Sequence, residues 1–108
     1  MMNDDELFTD DDIQIAPLDI SEYLHSEEDI NGYLNAVLEY KDTNLLLAAL
    51  KDVAKARGMS KSAQDAGMTR EGLYKALRPN AHPQWDTIWN ILSAFGYTLS
   101  LKKTTPVS

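Results

Sequence analysis

The chain has 108 residues, enough for one small domain with tails. It contains no cysteine, which excludes disulfides and thiolate chemistry and makes a reducing cytoplasm the expected compartment. No stretch approaches the roughly 20 apolar residues that span a bilayer, and the acidic N-terminus lacks the basic region of a signal peptide. We therefore expect a cytoplasmic protein without a membrane partner.

The net charge of −7 is divided unevenly along the chain. Eleven of the 17 acidic residues lie at or before Asp29, and all 10 Lys and Arg residues follow it. The part from Ile30 onward is therefore net positive. This division predicts an acidic arm joined to a basic helical body.

The first 17 residues are interpreted as a disordered or extended acidic arm. Residues 1–12 are acid-rich and lack a sustained apolar pattern, which predicts disorder. Ile13, Ile15 and Leu18 alternate imperfectly around Pro17, which indicates an extended segment. The arm is either a solubilising tail or a segment that orders against a basic partner, and the sequence leaves both roles open.

Two helices are predicted next, after a short turn that starts at Asp19 or Ser21. Ser26 can cap the first helix, whose apolar positions recur at helical spacing. These positions are Ile30, Tyr33, Leu34, Val37 and Leu38. Asp42 can cap the second helix, whose apolar run Leu45–Leu50 should make it the most buried element. Its outward positions are Asn44, Lys51, Asp52 and Lys55, and it ends at Arg57 and Gly58.

Residues 59–78 have the pattern of a helix-turn-helix unit. Ser60 can cap a short helix ending near Ala66, Gly67 allows a positive φ, and Thr69 can cap a second helix over 70–78. On that second helix Leu73, Ala76 and Leu77 share one face, and polar and basic residues share the other.

The polar face of the second helix suits DNA, because a lone helix with cationic and hydrogen-bonding side chains fits the major groove. The alternative is a solvated face with Glu71 and Lys75 as an ordinary pair one turn apart. We favour contact with double-stranded DNA. The candidate DNA-binding residues are Lys61, Ser62, Thr69, Arg70, Glu71, Tyr74, Lys75, Arg78 and Asn80.

The C-terminal part is predicted to hold a loop, a helix and a strand. Two prolines make 79–84 a loop, and Asp86 can cap a helix that ends at Gly96. Trp85 and Trp89 are expected to be core or interface anchors. Residues 97–101 alternate like a β-strand without a second strand to pair with, so a copy of the chain or another protein should supply the partner. Residues 102–108 form a polar tail.

Three segments resemble one family. They are Leu18–Leu24, Ala48–Met59 and Arg70–Leu77, joined by Asn80, Pro83 and Thr87–Gly96. The chain is similar over 18–101 to addiction-module antidote proteins of the HigA type. Lys61 and the long acidic N-terminus depart from the pattern. The resemblance implies an all-α, λ-repressor-like helix-turn-helix bundle of about five helices, to which the pattern above adds a short C-terminal strand.

The resemblance also implies a function. It points to an antitoxin that blocks a small basic ribonuclease toxin of the RelE superfamily and represses its own operon as a homodimer or as the toxin complex. Charge complementarity between the acidic arm and a cationic toxin is compatible with this. The candidate residues for contact with the toxin or a second copy are Leu18, Tyr23, Leu24, Tyr97, Leu99 and Leu101.

Three alternatives remain open at this point. One is a stand-alone prophage-type repressor without a toxin, and another is an interaction module that does not bind DNA. The third, an enzyme, is disfavoured. The chain has only two histidines, no cysteine and no glycine-rich phosphate loop, so we find no set of residues for catalysis or for binding a metal. We therefore expect no catalytic residue, metal, cofactor or small-molecule substrate.

Overall fold

The computed structural model describes residues 19–104, and the chain is all-α over that range. A short 3-10 helix (Ile20–Tyr23) precedes five α-helices. They are α1 (Glu27–Leu38), α2 (Thr43–Arg57), α3 (Met59–Asp65), α4 (Arg70–Leu77) and α5 (Trp85–Ala94). The prediction of an all-α domain with about five helices is confirmed. The expectations for the arm at 1–17, for Leu18 and for the end of the tail lie outside the described residues.

Side-chain caps begin the first two α-helices, as the sequence predicted. The Ser26 hydroxyl accepts a hydrogen bond from the Asp29 N–H at 3.1 Å, and the Asp42 carboxylate accepts one from the Leu45 N–H at 3.1 Å. Each cap satisfies an N–H group that has no partner within its helix. The 3-10 helix begins in the same way, since Asp19 accepts from the Ser21 N–H.

Helix α2 lies at the centre of the core and contacts α1, α3, α4 and the 3-10 helix. Its buried positions are Leu47, Ala49, Leu50, Val53 and Ala54. As the sequence predicted for this helix, α2 supplies more buried residues than any other helix of residues 19–104. Its apolar run is not uniformly buried, however, because Leu45 and Ala48 are exposed.

Helix α1 covers one side of α2 with Ile30, Leu34 and Val37, which are all buried. Leu38 was expected in this stripe but is 45% exposed, because α1 ends at that residue. The Tyr33 hydroxyl donates a hydrogen bond to the Asp52 carboxylate on α2 at 2.7 Å. This hydrogen bond joins α1 to α2.

Two predicted caps are wrong. Helix α3 begins at Met59, directly after Gly58, so Ser60 lies inside its first turn and caps nothing. Helix α5 begins at Trp85, and Asp86 lies in its first turn instead of at its cap. In both cases the helix begins two residues earlier than the polar residue suggested.

The predicted C-terminal strand at 97–101 is also wrong. Residues 97–104 run without regular secondary structure, and residues 19–104 contain no strand with which they could pair. Trp85 and Trp89, expected as core or interface anchors, do not enter the core, since they are 67% and 46% exposed. Across residues 19–104, no helix is both long and apolar enough to cross a membrane.

Candidate nucleic-acid interface

Helices α3 and α4 are joined by four residues, 66–69, whose backbone is tightly held. Gly67 has φ +72°, as its position in the pattern predicted, and the Met68 N–H donates to the Ala63 carbonyl at 2.8 Å. The Thr69 hydroxyl accepts from the Gly72 N–H at 2.9 Å and caps α4. The turn therefore fixes where α4 begins and how it leaves α3.

Helix α4 is anchored by one face and open on the other. Leu73 and Leu77 are 0% and 1% exposed, respectively, and α4 packs on α2 and α3 through this face. Ala63 of α3 is buried, and its small side chain lets the two short helices approach closely. The open face carries the exposed side chains of Arg70, Glu71, Lys75 and, just after the helix, Arg78. The two faces predicted for this helix are thus observed.

The cations of the open face have no acidic partner within residues 19–104. The ion pairs there are Lys55 with Asp19, Arg57 with Glu27 and Lys61 with Asp65. Arg70, Lys75 and Arg78 belong to none of them. Their charges are therefore available to a ligand without first breaking a salt bridge to the described part of the chain.

Tyr74 belongs to this face, and its ring contacts two cationic side chains. The Arg70 guanidinium lies 5.7 Å from the centroid of the half-buried Tyr74 ring, and the Lys51 ammonium lies 5.5 Å from it. Such cation–π contacts restrict where the cations point. Lys51 was predicted only as an outward residue of α2, and its proximity to α4 could not be read from local sequence.

The loop after α4 is held by a pair of asparagines that sequence reasoning missed. The Asn44 side chain at the start of α2 accepts from the Asn80 N–H at 2.8 Å and donates to the Asn80 side-chain oxygen at 3.0 Å. Asn80 has φ +65°, a conformation that asparagine tolerates better than most residues. The Asn44 contact therefore fixes Asn80 beside the end of α4.

Three further candidate DNA-binding residues, besides Asn80, have other structural roles. Ser62 is 4% exposed, and its hydroxyl donates to the Ala54 carbonyl at 3.2 Å, so it packs α3 on α2 and does not belong to the open surface. Thr69 uses its hydroxyl as the α4 cap. Lys61 is exposed but donates to Asp65 one turn away at 3.1 Å. The face that remains consists of Arg70, Glu71, Tyr74, Lys75, Arg78 and Asn80.

The described residues suggested for contact with a toxin or a second copy differ in exposure. Leu24 is 9% exposed and belongs to the core, while Tyr23 beside it is 58% exposed. Leu99 and Leu101 are exposed, and Tyr97 is half-buried. Burial raises the pKa of the Tyr97 hydroxyl, and the negative charge of Glu27 adds to this effect.

The described side chains offer no site for a metal ion. Residues 19–104 contain no group of three or more His, Cys, Asp or Glu side chains placed to hold one. What the α4 face does offer is an array of hydrogen-bond donors and positive charges on a rigid helix. Phosphate groups and the edges of base pairs are the ligands that such an array suits.

Comparisons with known proteins identify the family. Residues 14–103 match a family model described as "probable addiction module antidote protein". An uncharacterized protein of Haemophilus influenzae is 41% identical over 91 residues, which cover 84% of this chain and 94% of that protein. No solved structure matches the chain significantly. The family model covers most of the chain, and the chain therefore belongs to this family, described as "probable addiction module antidote protein".

Proposed function

We propose that this protein is the antitoxin of a type II toxin–antitoxin module and represses its own operon by sequence-specific DNA binding. The family of addiction module antidotes implies a cognate toxin as partner. The DNA part of the proposal depends on one observation, which is the outward face of α4 with Arg70, Lys75 and Arg78 outside every ion pair of residues 19–104. The function is binding without catalysis, and we place it in the cytoplasm.

The α3–α4 unit acts in this proposal as a λ-repressor-like helix-turn-helix, with α4 in the major groove of operator DNA. Leu73 and Leu77 anchor the helix, so the side chains on its other face reach the bases as a rigid set. Arg70 lies in the first turn of α4, where the N–H groups and the helix dipole favour a nearby phosphate. Arg78 and Asn80 follow the helix and would contact the sugar-phosphate backbone.

The toxin part of the proposal rests on charge and family. A small basic ribonuclease of the RelE superfamily is the partner that the resemblance of the sequence implies. The described region next to the acidic arm adds the exposed carboxylates of Glu22 and Glu28 and the 58% exposed ring of Tyr23. Complementary charge would speed association with a cationic toxin. These three residues belong to the 3-10 helix and α1 and not to α4, so the two partners would contact different residues.

The experiment that tests the proposal is a DNA-binding titration on the upstream region of the gene, with and without the product of the neighbouring gene. We expect specific, salt-sensitive binding. Arg70→Ala should weaken it by about 1–3 kcal/mol and relax the preference at one base pair. The matched control is Lys103→Ala, which removes a cation far along the chain from α4 and should leave binding nearly unchanged.

The outcomes separate the candidate functions. Absence of salt-sensitive DNA binding would refute the repressor function. Equal losses for Arg70→Ala and Lys103→Ala would refute the assignment to α4. DNA binding without any complex between the chain and a neighbouring basic protein would favour the stand-alone prophage-type repressor over the antitoxin.

A further inference from the structure

Lys51 of α2 and Arg70 of α4 lie against the same aromatic ring. The Lys51 ammonium is 5.5 Å from the centroid of the Tyr74 ring, and the Arg70 guanidinium carbon is 5.7 Å from it. The two cations come from different helices, which pack on each other. One ring therefore holds two positive charges close together where α2 meets α4.

Neither cation has an acidic partner within residues 19–104. Asp52, which follows the first of them in the chain, accepts a hydrogen bond from the Tyr33 hydroxyl on α1 at 2.7 Å. The next cation of α2, Lys55, is paired with Asp19 at 3.2 Å. Like charges that are held close together without an acid favour an anion that lies near both of them.

A groove of about 250 Å³ runs beside Lys51, between α2 and the end of α4. Asn44 lines it on the same face of α2, and Leu77 and Pro79 line it from the side of α4. Asn44 also holds Asn80 through hydrogen bonds of 2.8 and 3.0 Å. This face of α2 therefore follows α4 from the ring near its start to the loop after its end.

We propose that Lys51 binds a phosphate group of the DNA backbone, so that the DNA surface extends from α4 onto α2. An ammonium is a compact charge with three N–H donors, which suits a phosphate oxygen. The Tyr74 ring restricts where this charge points. A helix in the major groove has a sugar-phosphate strand on either side of it, and Lys51 lies beside α4 where such a strand would run.

This inference rests on the proposed function, because it requires α4 to lie in the major groove of DNA. It adds a contact that the α3–α4 unit does not supply, since Lys51 belongs to α2. The contact is independent of base sequence, because a phosphate is present at every step of the duplex. Lys51 should therefore raise the affinity for operator DNA and for unrelated DNA alike.

The test is a titration of the full chain with two DNA duplexes, the upstream region of the gene and an unrelated sequence, at several salt concentrations. Lys51→Gln should lower the slope of log K against log salt by about one unit on both duplexes. The ratio of wild-type to Lys51→Gln affinity should accordingly shrink about fourfold between 50 and 200 mM salt. Lys51→Arg keeps the charge and should keep the wild-type slope.

The matched control is Lys55→Gln, which removes a cation one turn further along the same helix. Asp19 already compensates the charge of Lys55, so this variant should keep a slope close to that of the wild type. Urea denaturation checks that each variant is folded. If Lys51 only packed α2 against α4, Lys51→Gln would lower the free energy of unfolding and leave the slope unchanged.

A second measurement locates the phosphate. In a series of upstream duplexes, single phosphates are replaced by neutral methylphosphonates. At one position of the binding site the replacement should weaken binding of the wild type but cause no further loss in Lys51→Gln, because the variant has already lost that contact.

An unchanged slope for Lys51→Gln would overturn the inference, as would equal changes of slope for Lys51→Gln and Lys55→Gln. A loss confined to the upstream duplex would assign Lys51 to base recognition and overturn it too. If the wild type binds neither duplex, the proposed repressor function fails. If the wild type binds and Lys51→Gln has the wild-type slope, only this inference fails, so the two failures are distinguishable.

Discussion

The guanidinium of Arg70 lies over the ring of Tyr74, one helical turn further along α4, with 5.7 Å between the guanidinium carbon and the ring centroid. This contact places the charge at a defined position on the open face of the helix. A side chain that is already restrained loses less conformational freedom when it binds. We therefore expect the half-buried Tyr74 ring to strengthen the proposed binding of Arg70 to DNA.

Replacing Tyr74 should separate the role of its ring from that of its hydroxyl. We expect Tyr74→Leu to weaken operator binding by about 0.5–1 kcal/mol, because Arg70 loses its cation–π partner. Tyr74→Phe keeps the ring and should bind nearly as well as the wild type. Fluorescence anisotropy on labelled operator DNA measures both. An equal loss in the two variants would show that the hydroxyl, and not the ring, matters.

Arg78 follows α4, and we expect it to contact a phosphate. Arg78→Ala should lower the slope of log K against log salt by about one unit and weaken all sequences alike. A series of titrations at increasing salt measures the slope. Lys103→Ala serves again as the control with an unchanged slope. A loss confined to one base pair would instead assign Arg78 to base recognition.

The Tyr33 hydroxyl donates to Asp52 at 2.7 Å and joins α1 to α2. Removing it with Tyr33→Phe should lower the free energy of unfolding by about 1 kcal/mol, since the bond is to a charged group but is partly open to water. Urea denaturation measures the change. Tyr40→Phe alters a hydroxyl at a 72% exposed position and should have no comparable effect.

The same hydroxyl predicts a dependence on alkaline pH. Burial, and then the hydrogen bond to Asp52, raise the pKa of Tyr33 above its ordinary value of 10.0. The unfolded chain therefore releases the Tyr33 hydroxyl proton at a lower pH than the folded chain does. The contribution of Tyr33 to stability is present below pH 10 and is lost as the pH rises above it. Wild-type stability should fall more steeply there than that of Tyr33→Phe. Parallel curves for the two proteins would contradict the assignment.

Asp19 predicts a dependence on acid pH. Hydrogen bonds from the Ser21 side chain and then from Lys55 lower the pKa of the Asp19 carboxyl below its ordinary value of 3.8. Its contribution to stability is therefore present above that pH and is lost as the pH falls through the lower folded-state value. Asp19→Asn should be less stable than the wild type at neutral pH.

The difference between wild type and Asp19→Asn should narrow in acid, and urea denaturation between pH 3 and 7 would show it. Glu39→Gln, at an exposed position outside the ion pairs of residues 19–104, controls for the general loss of a negative charge. A constant difference across the range would mean that Asp19 stabilises the chain without its charge.

Features that depend on neighbours in the chain could be predicted from the sequence. Ser26, Asp42 and Thr69 cap helices as expected, because a cap bonds an N–H only three residues away. The burial of Leu73 and Leu77 followed from helical spacing in the same way.

Features that depend on distant contacts could not be predicted in this way. The hydrogen bonds between Asn44 and Asn80 join residues 36 positions apart, and no local sequence pattern predicts them. Ser62 looked like a surface residue because its type is polar, but the packing of α3 on α2 places it inside. The alternation of 97–101 predicted a strand, but a strand also requires a partner, which residues 19–104 do not supply.

Gly58, with φ +101°, is both the C-cap of α2 and the N-cap of α3, so it is the single residue between the two helices. A side chain at this position would strain the backbone, since that φ is rarely adopted by other residues. Because a single residue separates the two helices, a change in the direction of α3 relative to α2 requires a change in the backbone angles of Gly58 or of the helix ends beside it.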